Sequence, residues 1–203
     1  MLEGIELLSV DLQNDFASEG GICFEERPSV SFIVETFVPF LREHDVKVSE
    51  ILSDYRQPRR GDPRYCCKPG DWGFKSILPR DVIKGEVWIK SMNDPTWIRK
   101  NGGIAEEEPG EPYQDPASFD DWLEKNVGSY EEVDLLVLFG LTADRCVLCT
   151  AQQLAFRGYD VKVLSDATDV RSGNPEEKKQ LLNTTPFLYW SEPITFEELS
   201  QLI

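Results

Sequence analysis

The stretch Leu135-Leu-Val-Leu-Phe-Gly140-Leu-Thr-Ala-Asp-Arg-Cys146-Val-Leu-Cys-Thr150 decides the fold. Leu135 to Phe139 form an unbroken apolar run, Gly140 ends it, and an amphipathic segment spans Val147 to Phe156. A short apolar run closed by glycine and continued at helical periodicity predicts a buried strand, a tight turn and a helix. Cys146 falls in the first helical turn. A helix N-terminus carries unpaired N–H groups and a partial positive charge. A thiol there is expected to lose its proton readily and to act as a nucleophile near neutral pH. The same N–H groups suit an oxyanion created by that nucleophile. The plainer alternative is a small, semi-apolar residue packed where a helix meets a sheet.

Outward from this unit the elements alternate. Strands are expected at Ile5–Val10, Val46–Leu52, Glu86–Lys90, Asp134–Phe139, Val161–Ser165 and, last and short, Phe187–Trp190. Helices are expected at Ser31–Arg42, with a kink at Pro39, at Ser118–Asn126 capped by Ser118, at Glu176–Asn183 and at Phe196–Ile203. Near-continuous apolar strands alternating with helices predict an α/β protein, a parallel sheet covered on both faces in three layers. Two long irregular loops, 56–73 and 101–116, interrupt the pattern, and loops of that length are often functional. No linker divides the chain, so one domain over residues 1–203 is expected.

Composition narrows the function. A net charge of −16 over 203 residues argues against nucleic acid. No apolar run is long enough to cross a bilayer. The N-terminus, with acids around its apolar stretch, reads as a first strand rather than a signal peptide, so the cytoplasm is the expected location. Five cysteines, Cys23, Cys66, Cys67, Cys146 and Cys149, give no disulfide framework. The Cys146–Cys149 spacing raises a redox alternative, and a zinc site using Cys66, Cys67, Cys146 and Cys149 is conceivable, but vicinal cysteines chelate poorly. The single histidine, His44, lies at the end of a helical stretch far from any nucleophile signature. Cysteine chemistry here is therefore expected to run without histidine.

In a parallel sheet of this kind the site lies at the carboxyl ends of the strands. Strand one delivers Asp11 there, strand three Lys90, and strand four Cys146 through the turn.

With those residues in place, the chain resembles the isochorismatase-like cysteine hydrolases, the superfamily of nicotinamidase and N-carbamoylsarcosine amidohydrolase. Ser9-Val-Asp11-Leu-Gln-Asn-Asp-Phe16 matches the N-terminal motif, and Gly140-Leu-Thr-Ala-Asp-Arg-Cys146-Val matches the nucleophile motif. Thr150-Ala151 and Gly158-Tyr-Asp-Val-Lys-Val-Leu-Ser-Asp166-Ala continue the likeness. Lys90-Ser-Met-Asn-Asp-Pro departs from the usual continuation after the lysine. The resemblance implies a six-stranded, mainly parallel sheet and a catalytic triad of Asp11, Lys90 and Cys146. It implies an oxyanion hole from the backbone N–H groups of Thr142 and Cys146, and a cis peptide at Leu141–Thr142. Self-association into dimers or tetramers is a further expectation from resemblance.

Two departures bear on the substrate. Nicotinamidases carry an aspartate and two histidines that bind a metal. Here Asp54 is present, but Arg56 stands where the first histidine is expected and no histidine follows residue 44. No metal or other cofactor is therefore expected. Isochorismatases proper cleave a vinyl ether, which gives a cysteine nucleophile nothing to do. Hydrolysis of an amide, carbamoyl or ureido C–N bond of a small molecule is the expected activity; isochorismatase activity, or a non-catalytic or redox-sensing protein, are the alternatives. Arg56, Arg59, Arg60 and Arg64 cluster in the first long loop, where a guanidinium could grip a substrate carboxylate. Phe16 and Trp72 are candidate pocket walls, with Arg56 the candidate binding residue.

Overall fold

A computed structural model describes residues 4–57 and 64–203. In chain order these form β1 (Ile5–Val10), α1 (Asn14–Ala17), α2 (Pro28–Phe32), α3 (Val38–Glu43), β2 (Val48–Ser53), β3 (Trp88–Lys90), β4 (Trp97–Ile98) and β5 (Tyr113–Gln114). There follow α4 (Pro116–Asn126), β6 (Leu135–Leu141), α5 (Leu148–Ala155), β7 (Val161–Asp169), α6 (Pro175–Leu182), α7 (Phe187–Trp190), β8 (Glu192–Ile194) and α8 (Phe196–Ser200). Six strands build one sheet in the order β3-β2-β1-β6-β7-β8, every pairing parallel. β4, just before the second long loop, and β5, near its end, make a separate antiparallel pair.

All seven residues of β6 are buried because both faces of the sheet are covered. Leu136 and Leu138 pack with Phe119, Trp122 and Leu123 of α4 and Ala151 and Leu154 of α5. Leu135, Val137 and Phe139 face the other way, against Ile33, Phe37, Val38 and Leu41 and against Leu199 of α8. That alternation gives the three layers. Among the described residues no helix is long and apolar enough to cross a membrane.

Several boundaries differ from the sequence reading, each for a local reason. The expected last strand at 187–190 is helix α7, and the sixth strand is Glu192–Ile194. A short aromatic run does not by itself distinguish a strand from a buried helical turn. α4 is capped by Asp115 rather than Ser118; the Asp115 carboxylate accepts the Ser118 N–H at 3.0 Å and its hydroxyl at 2.9 Å. Pro39 does not break its helix. A π-helical turn at Ile33–Phe37 joins α2 to α3, and the Val38 N–H bonds to the Ile33 carbonyl five residues back. This widened turn relieves the clash a proline ring makes with the carbonyl four residues before it.

The strand order reverses between β1 and β6, the place where such sheets open a crevice. There the two backbones come unusually close. Gly140 has φ +124°, and a Cβ built on it would lie 2.1 Å from the Val10 carbonyl oxygen. Only glycine fits, so Gly140 lets the carboxyl ends of β1 and β6 deliver Asp11 and the Cys146 turn side by side.

Candidate active site

Asp11 leaves β1 with φ 54°, a left-handed conformation that aspartate tolerates better than most residues. Its N–H bonds to the Ile51 carbonyl at 2.9 Å, pinning the turn to β2. The carboxylate is 1% exposed. It accepts the Ser53 hydroxyl on Oδ1 at 2.8 Å and Lys90 Nζ on Oδ2 at 2.7 Å. Lys90, at the end of β3, is fully buried. Besides Asp11, its ammonium reaches Ser53 Oγ at 2.6 Å, Tyr55 OH at 2.8 Å, the Met92 carbonyl at 3.1 Å and Cys146 Sγ at 3.4 Å. Burial opposes its charge, but Asp11, Cys146 and Tyr55 hold its pKa well above the ordinary lysine value. The ammonium is therefore a fixed positive charge.

Cys146 lies in a π-helical turn, Ala143–Val147, that runs straight into α5. The Thr142 carbonyl accepts the N–H of Arg145 at 3.0 Å and of Val147 at 3.2 Å, bonds that straddle Cys146. The Leu141–Thr142 peptide is cis. The sulfur touches Tyr55 OH and Asn93 Oδ1, each at 3.5 Å. An ammonium cannot accept a hydrogen bond, so Lys90 donates to the Tyr55 oxygen and leaves the tyrosine proton able to point at sulfur.

One expectation is corrected here. The helix N-terminus does not acidify Cys146; burial and the neighbouring Asp11 carboxylate, opposed by Lys90, push the thiol up to about 12. The resting group is a thiol, and it needs a base at the moment it attacks. The base at hand is Asp11, whose carboxylate shares Lys90 Nζ with the sulfur, at 2.7 and 3.4 Å.

Asp11, Lys90, Thr142 and Cys146 thus meet in one place, and Phe16 lines the same cavity. The other two expected binding residues stand elsewhere. Trp72 is half exposed and does not line the cavity. Arg56 is buried and fully engaged: Nε and Nη2 bond Asp54 at 3.0 and 2.7 Å, and the remaining donors hold the carbonyls of Asn101, Ile104 and Glu107. It straps the second long loop to the end of β2. Arg59 and Arg60 lie outside the described residues, while Arg64 lines the cavity. With Asp54 held by Arg56 and by the Gly103 N–H, no group of three His, Cys, Asp or Glu side chains among the described residues could hold a metal. The conceived zinc set is scattered: Cys66 and Cys67 pack with Cys23 beneath Tyr55, and Cys149 is on α5.

Sequence reasoning missed Ser53, Tyr55 and Asn93. The first two had a signal, since residues 53 and 55 alternate with Asp54 at the end of β2 and so face one side. Asn93 fell in the segment that departs from the family motif.

The arrangement is a three-layer α/β protein with a thiol, a carboxylate and an ammonium at the reversal of a parallel sheet. An isochorismatase domain model matches residues 117–195. The fold over the whole chain is that of the isochorismatase-like hydrolases. It is similar to an isochorismatase-like hydrolase from Alkaliphilus metalliredigens, at 20% identity and TM-score 0.67, covering 97% of each chain. It is also similar to an isochorismatase family protein from Desulfovibrio vulgaris, at 17% identity and TM-score 0.67, covering 98% of each. A nicotinamidase/pyrazinamidase from Bacillus subtilis matches at 20% identity and TM-score 0.60, over 93% of this chain and 98% of that one. No curated protein matches the sequence at a significant level.

Proposed function

We propose that the protein is a metal-independent cysteine hydrolase that cleaves the C–N bond of a small amide, carbamoyl or ureido compound. The observation that carries this reading is the position of one buried ammonium, Lys90 Nζ, 2.7 Å from Asp11 Oδ2 and 3.4 Å from Cys146 Sγ. Lys90 keeps its protons at neutral pH. It therefore favours negative charge on either neighbour, and a proton moving from sulfur to Asp11 exchanges one ion pair for another at little electrostatic cost.

Attack by Cys146 Sγ on the carbonyl carbon forms the C–S bond while the thiol proton passes to Asp11. The oxyanion takes hydrogen bonds from the N–H groups of Thr142 and Cys146. Thr142 and Cys146 both line the cavity, which supports this. Collapse breaks the C–N bond, and Asp11 returns its proton to the leaving nitrogen. Water, deprotonated by Asp11, then hydrolyses the thioester and releases the acid and the thiol. Tyr55 donates to sulfur whenever it is anionic. Vinyl-ether hydrolysis would leave this thiol idle, which favours the C–N reading.

We also infer that the chain self-associates, as its family resemblance implies; exposed Phe156, Leu188 and Tyr189 gather beside Trp190 as an apolar surface suited to it.

The test is ammonia release from a panel of small carboxamides and ureido compounds, with acid quench and peptide mass spectrometry. Turnover with an acyl adduct on Cys146 is expected. A folded protein that turns over none of them, and forms no adduct, overturns the reading.

A further inference from the structure

The cavity that contains Cys146 encloses about 400 Å³ of open space including its mouth, and Arg27, Arg64, Arg145 and Arg171 all line it. This is unexpected in a chain of net charge −16. Among the described lining residues the carboxylate is that of Asp11, which is already paired with Lys90.

Arg27 is the most telling of the four. It is 3% exposed, and its guanidinium bonds only to backbone carbonyls, those of Val170, Phe16, Glu25 and Arg171 at 2.7–3.2 Å. Among the described residues it makes no ion pair. Burial pulls its pKa below the ordinary arginine value, against the pull of Asp169, Glu25 and Asp144. Carbonyl dipoles orient a guanidinium but do not neutralise it, and a buried charge with its carboxylates out of contact is costly. Such a charge persists where something else compensates it. Arg145 is one-third exposed, and its ion-pair partner among the described residues, Asp144, stands 3.9 Å away and also accepts the Arg171 N–H. An exposed pair at that distance holds its arginine weakly.

We propose that the cavity selects a substrate bearing a carboxylate beside its scissile C–N bond, with Arg145 forking the carboxylate and buried Arg27 as the fixed charge behind it. This rests on the hydrolase reading for the scissile bond, but not for the anion site itself. Arg145 and Cys146 line the same cavity, so a carboxylate held by Arg145 shares it with the carbonyl that Cys146 attacks. The guanidinium that would hold it is not in the arginine-rich loop but beside the nucleophile.

The test compares malonamate with malonamide, which differ by one carboxylate for amide, by calorimetric titration of the Cys146→Ser variant. Malonamate is expected to bind about ten-fold or more tightly, the scale of charge-assisted hydrogen bonds. The preference is expected to vanish in Cys146→Ser/Arg145→Gln and to weaken with added salt. Equal binding, or a preference that survives Arg145→Gln, overturns the proposal. Preferential binding without ammonia release from any compound supports the anion site and overturns the hydrolase reading instead. If neither compound binds measurably, alkylation of the wild type decides. Iodoacetate must then outpace iodoacetamide at Cys146 by a larger ratio than at Cys149, and an equal ratio overturns the proposal.

Discussion

Two buried carboxylate–cation pairs flank the end of β2, and they behave differently. Ser53 faces Asp11–Lys90, and the next residue, Asp54, belongs to Asp54–Arg56. Both carboxylates are essentially unexposed, and both pairs are 2.7 Å apart. The remaining donors of Arg56 go to three backbone carbonyls, none of which can exchange a proton. Those of Lys90 go mainly to a serine, a tyrosine and a cysteine, all of which can. Asp54–Arg56 is a clasp; Asp11–Lys90 is the pair to which the proposed chemistry is assigned. Burial of a charged pair is therefore no sign of function; what the remaining donors touch is the sign.

The contrast is broken most severely at the thiol and its base. Cys146→Ser and Asp11→Asn are expected to lower amide hydrolysis by at least about 10³-fold, as loss of a nucleophile or of general acid–base catalysis does; Cys146→Ser should leave thermal stability little changed, whereas Asp11→Asn strips the buried Lys90 of its counter-charge and should lower it. Steady-state ammonia release together with a melting curve checks both parts.

Removing each cation compares the pairs directly. Lys90→Met and Arg56→Met each leave a buried carboxylate unpaired, so each should cost about 3–5 kcal/mol of stability in a denaturant titration. Only Lys90→Met should also abolish turnover. Arg56→Met should keep kcat within a few-fold while the 101–108 segment becomes sensitive to limited proteolysis.

Glu50 sharpens the comparison as a buried carboxylate with no cation bonded to it. It is 3% exposed and receives the Ser76 hydroxyl at 2.5 Å. Burial, partly offset by Ser76 and by Arg80, raises its pKa to about 7. The native state therefore binds this proton more tightly than the unfolded chain, and stability falls as pH rises from about 4.5 through about 7. Glu50→Gln removes that fall. Its stabilising effect should be small at pH 4.5 and grow to about 2–3 kcal/mol at pH 8, and equal effects at both would contradict the account.

The mildest effect is expected at Tyr55. Tyr55→Phe removes the hydrogen bond to sulfur and one acceptor of Lys90, and should slow hydrolysis about ten-fold with the Asp11–Lys90 pair intact. A rate unchanged within two-fold would remove Tyr55 from the mechanism.

The strand–turn–helix around Cys146 and the strand ends at Asp11 and Lys90 were legible in the sequence, because fully buried parallel strands write themselves as apolar runs. Phe187–Trp190 was not, since four aromatic or aliphatic residues suit a buried turn of helix as well as a strand. The misplacement of Arg56 has a different origin. A lone cation in a Pro/Gly-rich loop looks available until its partner is known, and its loop partners are 45–51 residues away. Arg27 had no signal at all: its carbonyl partners at Val170 and Arg171 are more than 140 residues distant. The protonation of Cys146 was misjudged because helix position is local, whereas desolvation and the Asp11 charge arise only in the assembled fold.

The most direct test of the central claim, that Asp11 takes the Cys146 proton under the fixed charge of Lys90, is the rate of iodoacetamide alkylation of Cys146 between pH 6 and 10. It should be measured by peptide mass spectrometry in wild type and in Asp11→Asn. Asp11 raises the thiol pKa, so its neutralisation leaves Lys90 to stabilise a thiolate. The account predicts that Asp11→Asn is alkylated faster than wild type at pH 7 and yet hydrolyses no amide. Alkylation equally slow in both proteins, or hydrolysis that survives the substitution, would contradict it.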